Sequence, residues 1–392
     1  MDVERLRTIP TVRDFFQISA TGEIPESTKL LLESMQEVVF ENGEDIVTIG
    51  AECDDGMYII MEGHTDVLNA ENVCLNKLGS GDFIGELGLI NEDRRGATVR
   101  ATGRVVCANI SKTLFFELAA RNRRIYGLFM NMLYRKTEKL IAEQERIKSE
   151  LAIATRIQVG SLENDFSGFN CLPNVYVTAN MYPAKEVGGD FYDVFMIDDK
   201  KLCFLVADVS GKGVPAALFM SMAKIHIKNY ASLNLPLSEV AQRVNNQLCY
   251  RNEEGMFVTA FICVLNLETN EMKFVNAGHN PPFLKKSREN FVMLKPNVNL
   301  VFGMMEDMTY QEQSVYLQKG DVIYLYTDGV TEALNQKGEL FGEKRLLQEL
   351  NRHADCIDRS QQFLEKLFKQ VEIFSEGVSR SDDITMLCLG RI

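Results

Sequence analysis

Nowhere in this chain do eighteen apolar residues run together, so the sequence predicts no membrane span. No secretory leader is expected either, because Asp2, Glu4, Arg5 and Arg7 interrupt any apolar run in the opening residues. No two cysteines have C-x-x-C spacing. The nine present are scattered, mostly in apolar strand-like runs such as Cys203-Phe204-Leu205-Val206, which argues for reduced core thiols in the cytoplasm rather than disulfides or zinc. Positive charge is in deficit as well: 42 Lys and Arg stand against 55 Asp and Glu, a formal net charge of -13. Phosphate neutralisation supplies most nonspecific nucleic-acid affinity, so the sequence predicts no nucleic-acid partner, and no basic helix-turn-helix is legible in it.

What the chain does have is enough length, at 392 residues, for two ordinary domains and a connector. Residues 1–36, with Phe15, Phe16, Ile18, Leu30, Leu31, Leu32 and Met35, suit short packing helices. From Val38 to Ile110 short alternating runs such as Met57-Tyr58-Ile59-Ile60 are separated by turns at Asn42-Gly43, Asp54-Asp55-Gly56 and Gly79-Ser80-Gly81. Many short strands at that spacing predict a barrel or jelly roll. Glycine and proline then almost vanish from Arg123 to Leu162, which predicts a long helical connector. Leu133, Leu140, Ile147 and Ala154 recur every seven residues, but the companion seam of Thr137, Gln144, Leu151 and Gln158 is half polar. A weak coiled coil, and with it a homodimer, and a helix packed on its own domain both remain open.

From Asp165 onward, strand-like runs at Val175–Ala179, Leu202–Ala207, Phe257–Val264, Val322–Tyr326 and Ile384–Cys388 alternate with helical stretches after Pro215, Pro236 and Glu343. This order suits an α+β layered sandwich. Acidic residues stand where the strands end: Asp190 after Val187-Gly188-Gly189, Asp208 after the run from Leu202, Asp328 after Tyr324-Leu325-Tyr326-Thr327, and the pair Asp382-Asp383. Each alone reads as a turn or cap aspartate. Four converging would need two or more hard divalent cations to offset their repulsion.

A second cluster lies in the strand-rich first half, in Gly81-Asp82-Phe83-Ile84-Gly85-Glu86-Leu87 followed by Arg94-Arg95-Gly96-Ala97-Thr98. Glycines let a short helical turn present backbone N–H groups to an anion, while a carboxylate and an arginine fork suit a sugar hydroxyl and a phosphate. The stretch resembles the phosphate-binding cassette of cyclic nucleotide-binding domains. By that resemblance Glu86 holds the ribose 2′-hydroxyl, Arg95 the cyclic phosphate, and Gly85, Leu87 and Ala97 line the site. The alternative is a surface arginine in a hairpin. Gly96 stands where cyclic GMP binders often carry threonine, which leans towards cyclic AMP.

The motifs Gly188-Gly189-Asp190-Phe191-Tyr192-Asp193, Asp208-Val209-Ser210-Gly211-Lys212-Gly213, Asn276-Ala277-Gly278-His279-Asn280-Pro281, Thr327-Asp328-Gly329 and Asp382-Asp383-Ile384-Thr385 resemble the stage II sporulation protein E type of serine/threonine phosphatase, within the metal-dependent protein phosphatase 2C superfamily. The resemblance implies two Mn²⁺ or Mg²⁺ ions bridged by a water that attacks phosphorus directly. It assigns Asp208 to both ions, Asp328 and Asp382 to one, and Asp190 with the Val209 carbonyl to the other. Asp193 and Asp383 are supporting or third-metal candidates, or plain structural residues. Eukaryotic relatives place histidine where Ser210 stands, and His279 reads better as a structural hydrogen-bonder than as its replacement. Lys185 is the candidate for a phosphate-binding cation, a solvated lysine being the equal alternative.

The expectation is a multidomain chain: an N-terminal β jelly-roll barrel with flanking helices over 1–122, a helical linker over 123–164, and an α+β four-layer β-sandwich phosphatase over 165–392. Its expected function is a cytoplasmic, cyclic nucleotide-regulated phosphoserine/phosphothreonine phosphatase. By resemblance its substrate is a phosphorylated anti-sigma-factor antagonist of a bacterial partner-switching pathway. The rival expectation is a catalytically silent scaffold that responds to nucleotide.

Overall fold

The computed structural model describes every residue except 1–2, 17, 20–22, 54, 90–93, 171, 173, 355–359 and 392. Asp54 of the Asp54-Asp55-Gly56 turn, Ile90 to Asp93 of the cassette, Cys171 and Cys356 therefore lie outside the described residues, as do the side chains of Phe15 and Phe16. The chain divides into two units, Met1–Arg146 and Ile147–Ile392.

In the first unit, helices α1 (Val3–Arg7), α2 (Pro10–Phe16) and α3 (Glu26–Glu33) precede strands β1 (Gln36–Phe40), β2 (Asp45–Val47), β3 (Met57–Leu68), β4 (Cys74–Leu78), β5 (Phe83–Ile84) and β6 (Thr98–Ile110). All pairs are antiparallel, in the order β1-β6-β3-β4, with β2 also on β6 and β5 also on β3. The pairing path is open, so the jelly-roll expectation holds as a β-rich antiparallel architecture, without a closed ring of hydrogen bonds among the described residues. Strand periodicity separates two apolar clusters. Met57, Ile59 and Met61 pack with the helices, whereas Tyr58 and Ile60 turn the other way to join Ile46, Val47, Ile84 and Val99.

Helix α4 (Lys112–Arg121) starts at Ser111, whose hydroxyl accepts from the Leu114 N–H as an N-cap. Helix α5 (Arg123–Gly160) follows, and the division between the two units falls inside it. Ile125 and Phe129 join the first unit's core, while residues 137–150 are exposed, including Leu140 and Ile147 of the expected seam.

The second unit adds α6 (Ser167–Asn170), β7 (Val175–Tyr182), β8 (Phe191–Asp198), β9 (Lys201–Val209), α7 (Val214–Ala231), α8 (Leu237–Cys249), β10 (Val258–Asn266) and β11 (Glu271–Ala277). It continues with β12 (Phe283–Lys285), β13 (Phe291–Met293), β14 (Gln313–Tyr316), β15 (Val322–Tyr326), α9 (Asp328–Thr331), α10 (Gly342–Arg352), α11 (Ser360–Phe374) and β16 (Ile384–Arg391). Two five-stranded antiparallel sheets form, ordered β14-β11-β10-β9-β8 and β13-β12-β15-β16-β7.

Alternation again assigns the faces. Leu387 and Leu389 of β16 pack in the core shared with β8–β10, whereas Met386 and Cys388 turn to α10 and α11. Helices α7 and α8 bury Met220, Ala223, Ile227 and Val244 against the first sheet. Helix, sheet, sheet, helix is thus the layer order, with apolar residues on both faces of each sheet. Cys107, Cys203, Cys263 and Cys388 are buried free thiols, as their apolar surroundings in the sequence suggest.

Candidate active site

The loop after β7 turns through Glu186–Gly189 and delivers Asp190 at the start of β8. Asp190 is 2% exposed, and its Oδ2 accepts from the Thr327 hydroxyl at 2.6 Å and the Thr385 hydroxyl at 2.8 Å. Thr327 Oγ1 also accepts from the Thr385 N–H at 3.0 Å, tying the Thr-Asp-Gly turn to the last strand. Asp208 lies at the end of β9, opposite Thr259 of β10, and acts on Asp190 as a neighbouring like charge.

The carboxyls perturb one another as like charges in a half-buried cluster should. Burial, then Asp328, pushes Asp208 up to about 7. Burial, then Asp208 and Asp383, holds Asp190 well above the carboxylate range. Asp328 is raised by burial, Glu332 and Asp382. Asp382 Oδ2 meets the Lys212 ammonium at 2.6 Å, and Lys212 also donates to the Ser381 carbonyl. Among the described residues no three Asp, Glu, His or Cys side chains already form a metal site. The threonine hydroxyls and the Lys212 ammonium instead take carboxylate oxygens that a cation would use. An all-oxygen donor set with crowded negative charge fits Mg²⁺ or Mn²⁺ in chemistry. The Val209 carbonyl belongs to the same neighbourhood, since a Cβ on Gly189 would stand 2.9 Å from it.

The two uncertain aspartates separate. Asp383 is buried and organises the loop: Oδ1 accepts from the Ala184 N–H at 2.8 Å, and Oδ2 from Gly189 at 2.7 Å and Asp190 at 3.4 Å. A Cβ on Gly188 would come within 2.2 Å of that oxygen, which explains a glycine there. Asp193 instead pairs with Lys224 of α7 at 2.6 Å, both nearly buried, a link between sheet and helix.

Ser210 bonds Phe257 through both backbone and hydroxyl. His279 is 4% exposed; its Nε2–H donates to the Tyr326 carbonyl at 3.1 Å, so Nδ1 accepts from the Thr259 hydroxyl at 2.8 Å. Burial lowers its pKa to about 4, leaving a neutral structural imidazole, as its glycine-proline context suggests. Lys185 is exposed, and the cation set against the acidic cluster is Lys212. Thr327, Thr385 and Lys212 lie inside the quoted motifs but carry roles the motifs alone did not reveal. Their one signal was adjacency to the aspartates.

In the first unit a cavity of about 390 Å³ is lined by Val47, Phe83, Ile84, Glu86, Arg95 and Ala97, with Gly85 and Leu87 also on its wall. Arg95 is 6% exposed; its Nη1 donates to the Gly85 carbonyl at 2.9 Å, and its Nη2 reaches Asp55 Oδ1 and the Gly56 carbonyl, each at 2.5 Å. Its Nε is buried with no partner, a donor that an anion would satisfy. Gly85 has φ +74°, and a Cβ there would lie 1.9 Å from Arg95 Nη1. Glu86 is nearly buried and takes the Lys136 ammonium of α5 at 2.6 Å. The structure thus brings Gly85, Glu86, Arg95 and Ala97 to one cavity, with Arg95 buried rather than on a surface hairpin.

A four-layer antiparallel sandwich with aspartates gathered at its strand ends defines a phosphatase of the protein phosphatase 2C class. A family profile described as Stage II sporulation protein E (SpoIIE) matches residues 198–392, and one described as Cyclic nucleotide-binding domain matches 37–122. Phosphoserine phosphatase RsbU of Bacillus subtilis is 30% identical over 260 residues, which is 66% of this chain and 75% of that protein. A cAMP-dependent protein kinase regulatory subunit of Mucor circinelloides is 35% identical over 111 residues, 28% of this chain and 24% of that protein. The solved SiaA-PP2C domain of Pseudomonas aeruginosa shares the fold at a TM-score of 0.55 and 22% identity, covering 64% of this chain and 99% of that one. The chain belongs to the SpoIIE family of PP2C-type serine/threonine phosphatases and carries a cyclic nucleotide-binding domain.

Proposed function

We propose that this chain is a divalent-metal-dependent protein phosphatase, acting on phosphoserine or phosphothreonine and regulated by a cyclic nucleotide. The observation that carries the reading is the convergence of Asp190, Asp208, Asp328 and Asp382, each of the first three pushed up in pKa partly by its acidic neighbours. In this reading Asp208 would hold both ions, Asp328 and Asp382 would hold one, and Asp190 with the Val209 carbonyl would hold the other. Divalent ions held there would lower the pKa of water and neutralise charge on the phosphoryl group.

The chain's own part is to hold the carboxylates in place. Asp383 fixes the loop before Asp190, Thr327 and Thr385 fix its carboxyl, and Lys212 balances Asp382. Lys185 is assigned to the incoming phosphate on its exposure alone. Kinship with RsbU supports a partner-switching substrate, an anti-sigma-factor antagonist or similar small protein, acted on in the cytoplasm.

The cavity around Arg95 and Glu86 is assigned to the cyclic nucleotide, cyclic AMP before cyclic GMP, supported by Gly96 after Arg95 and by kinship with a cAMP-dependent regulatory subunit. A ligand changes activity only through differential affinity for two arrangements. Lys136 supplies a candidate difference, because a ribose hydroxyl seeking Glu86 meets a carboxylate already paired with α5. Leu140, Ile141 and Ile147, exposed on that helix within the 123–164 connector, offer a seam to a second copy. Hydrolysis of p-nitrophenyl phosphate by the full chain tests the catalytic reading. Activity is expected with Mn²⁺, none with chelator, and background rates in Asp208→Asn and Asp328→Asn. Undiminished activity in both variants would contradict the assignment.

A further inference from the structure

The loop over residues 184–190 is held by side chains from two elements. One is Asp383, described above. The other is Gln158, near the C-terminal end of α5, which is 6% exposed although its neighbours Ile157 and Val159 are exposed. Its Nε2 donates to the Gly188 carbonyl at 2.6 Å, and its Oε1 accepts from the Gly188 N–H at 3.1 Å. One primary amide thereby saturates both backbone groups of one glycine, as a neighbouring strand would. One turn earlier, the Thr155 hydroxyl stands 2.5 Å from the Glu186 carbonyl. The helix therefore meets this loop through directional polar contacts as well as through packing.

That choice of residue has a physical meaning. An apolar side chain would cover the loop while tolerating many orientations of its peptides. A buried glutamine is compensated for its desolvation only when both amide atoms are paired, so it specifies one orientation. The peptide it specifies lies two residues before Asp190. We infer that Gln158 is a positioning residue of the phosphatase site: its amide fixes the Gly188 backbone, and through it the Asp190 carboxylate as a ligand for the divalent cation. The inference rests on the assignment of Asp190 to a metal made above. It gives the end of α5 a direct hold on the catalytic loop.

The test uses the full chain and Mn²⁺ alone as the probe. Gln158→Met keeps the volume and removes both hydrogen bonds. Its Mn²⁺ affinity by calorimetry is expected to fall about 10- to 100-fold, the range for residues that orient metal ligands. At fixed Mn²⁺ the kcat for p-nitrophenyl phosphate falls by a similar factor while KM stays within about threefold, and excess Mn²⁺ restores most of the rate. The Gly188 amide also exchanges hydrogen faster. Thr155→Val, a milder change, should lower Mn²⁺ affinity in the same direction by a few-fold, and it keeps the test decisive if Gln158→Met does not fold. Wild-type Mn²⁺ affinity and kcat in Gln158→Met would overturn the positioning role while leaving the phosphatase reading intact. If the wild-type chain binds Mn²⁺ but hydrolyses nothing, the functional reading fails and the calorimetric comparison still decides the role of Gln158. If the wild-type chain binds no Mn²⁺, both fail.

Discussion

Asp208 shows how one residue's environment becomes a measurable property. Its pKa near 7 lies far above the value of about 3.9 for an unfolded aspartate, and Asp190 is raised in the same direction. The folded chain therefore binds more protons than the unfolded one across the interval. A group raised on folding adds stability in full below its unfolded pKa and loses it as pH rises through the folded value. In chelator, this contribution should lower the melting temperature as pH rises from about 4 to about 7 and level off above that, and Asp208→Asn should flatten that slope. A wild-type slope of the opposite sign would contradict the cluster's electrostatics. Gly85 makes a second residue-scale case. Alanine there meets Arg95 Nη1 at 1.9 Å and must adopt φ +74°. Cyclic AMP binding by calorimetry should weaken about 10- to 100-fold, as for losing a charge-assisted hydrogen bond of about 1.5–3 kcal/mol. The identities of Asp208, Arg95 and Glu86 were legible because motifs name them. Their partners were not: Asp55 lies 40 residues from Arg95, and Thr385 lies 195 from Asp190, separations that only the fold closes.

At the scale of elements, β8 shows what periodicity decides. Asp190 and Asp193 stand three apart in one acidic motif, yet Asp190 faces the carboxylate cluster and Asp193 faces Lys224 on α7. Removing one member of so buried a pair leaves the other uncompensated, so Lys224→Met should lower unfolding stability by about 3–5 kcal/mol in denaturant titration. A change within about 0.5 kcal/mol would show the pair to be dispensable. The sandwich was readable from continuous apolar runs that end in aspartates, because both faces of each sheet are covered. The first unit was readable as many short strands, while the open path of its sheet depends on which strands pair. Helix α5 was readable from the loss of glycine and proline. That Gln158 in its polar seam would be buried was not, since a glutamine at such a position looks the same whether it faces water or a backbone.

For the molecule as a whole, two units with separate cores carry two sites, and one 38-residue helix contributes Lys136 beside the first and Gln158 beside the second. Regulation in this account is a difference in free energy between arrangements of that helix, biased by whatever binds Glu86 and Arg95. The most direct measurement is the rate of phosphate release by the full chain in Mn²⁺ across a cyclic AMP titration, with nucleotide occupancy followed independently by calorimetry. The account predicts a metal-dependent rate that changes in step with occupancy and is absent in Asp208→Asn. A rate that stays constant while the nucleotide site fills, or phosphate release that persists in Asp208→Asn, would contradict it.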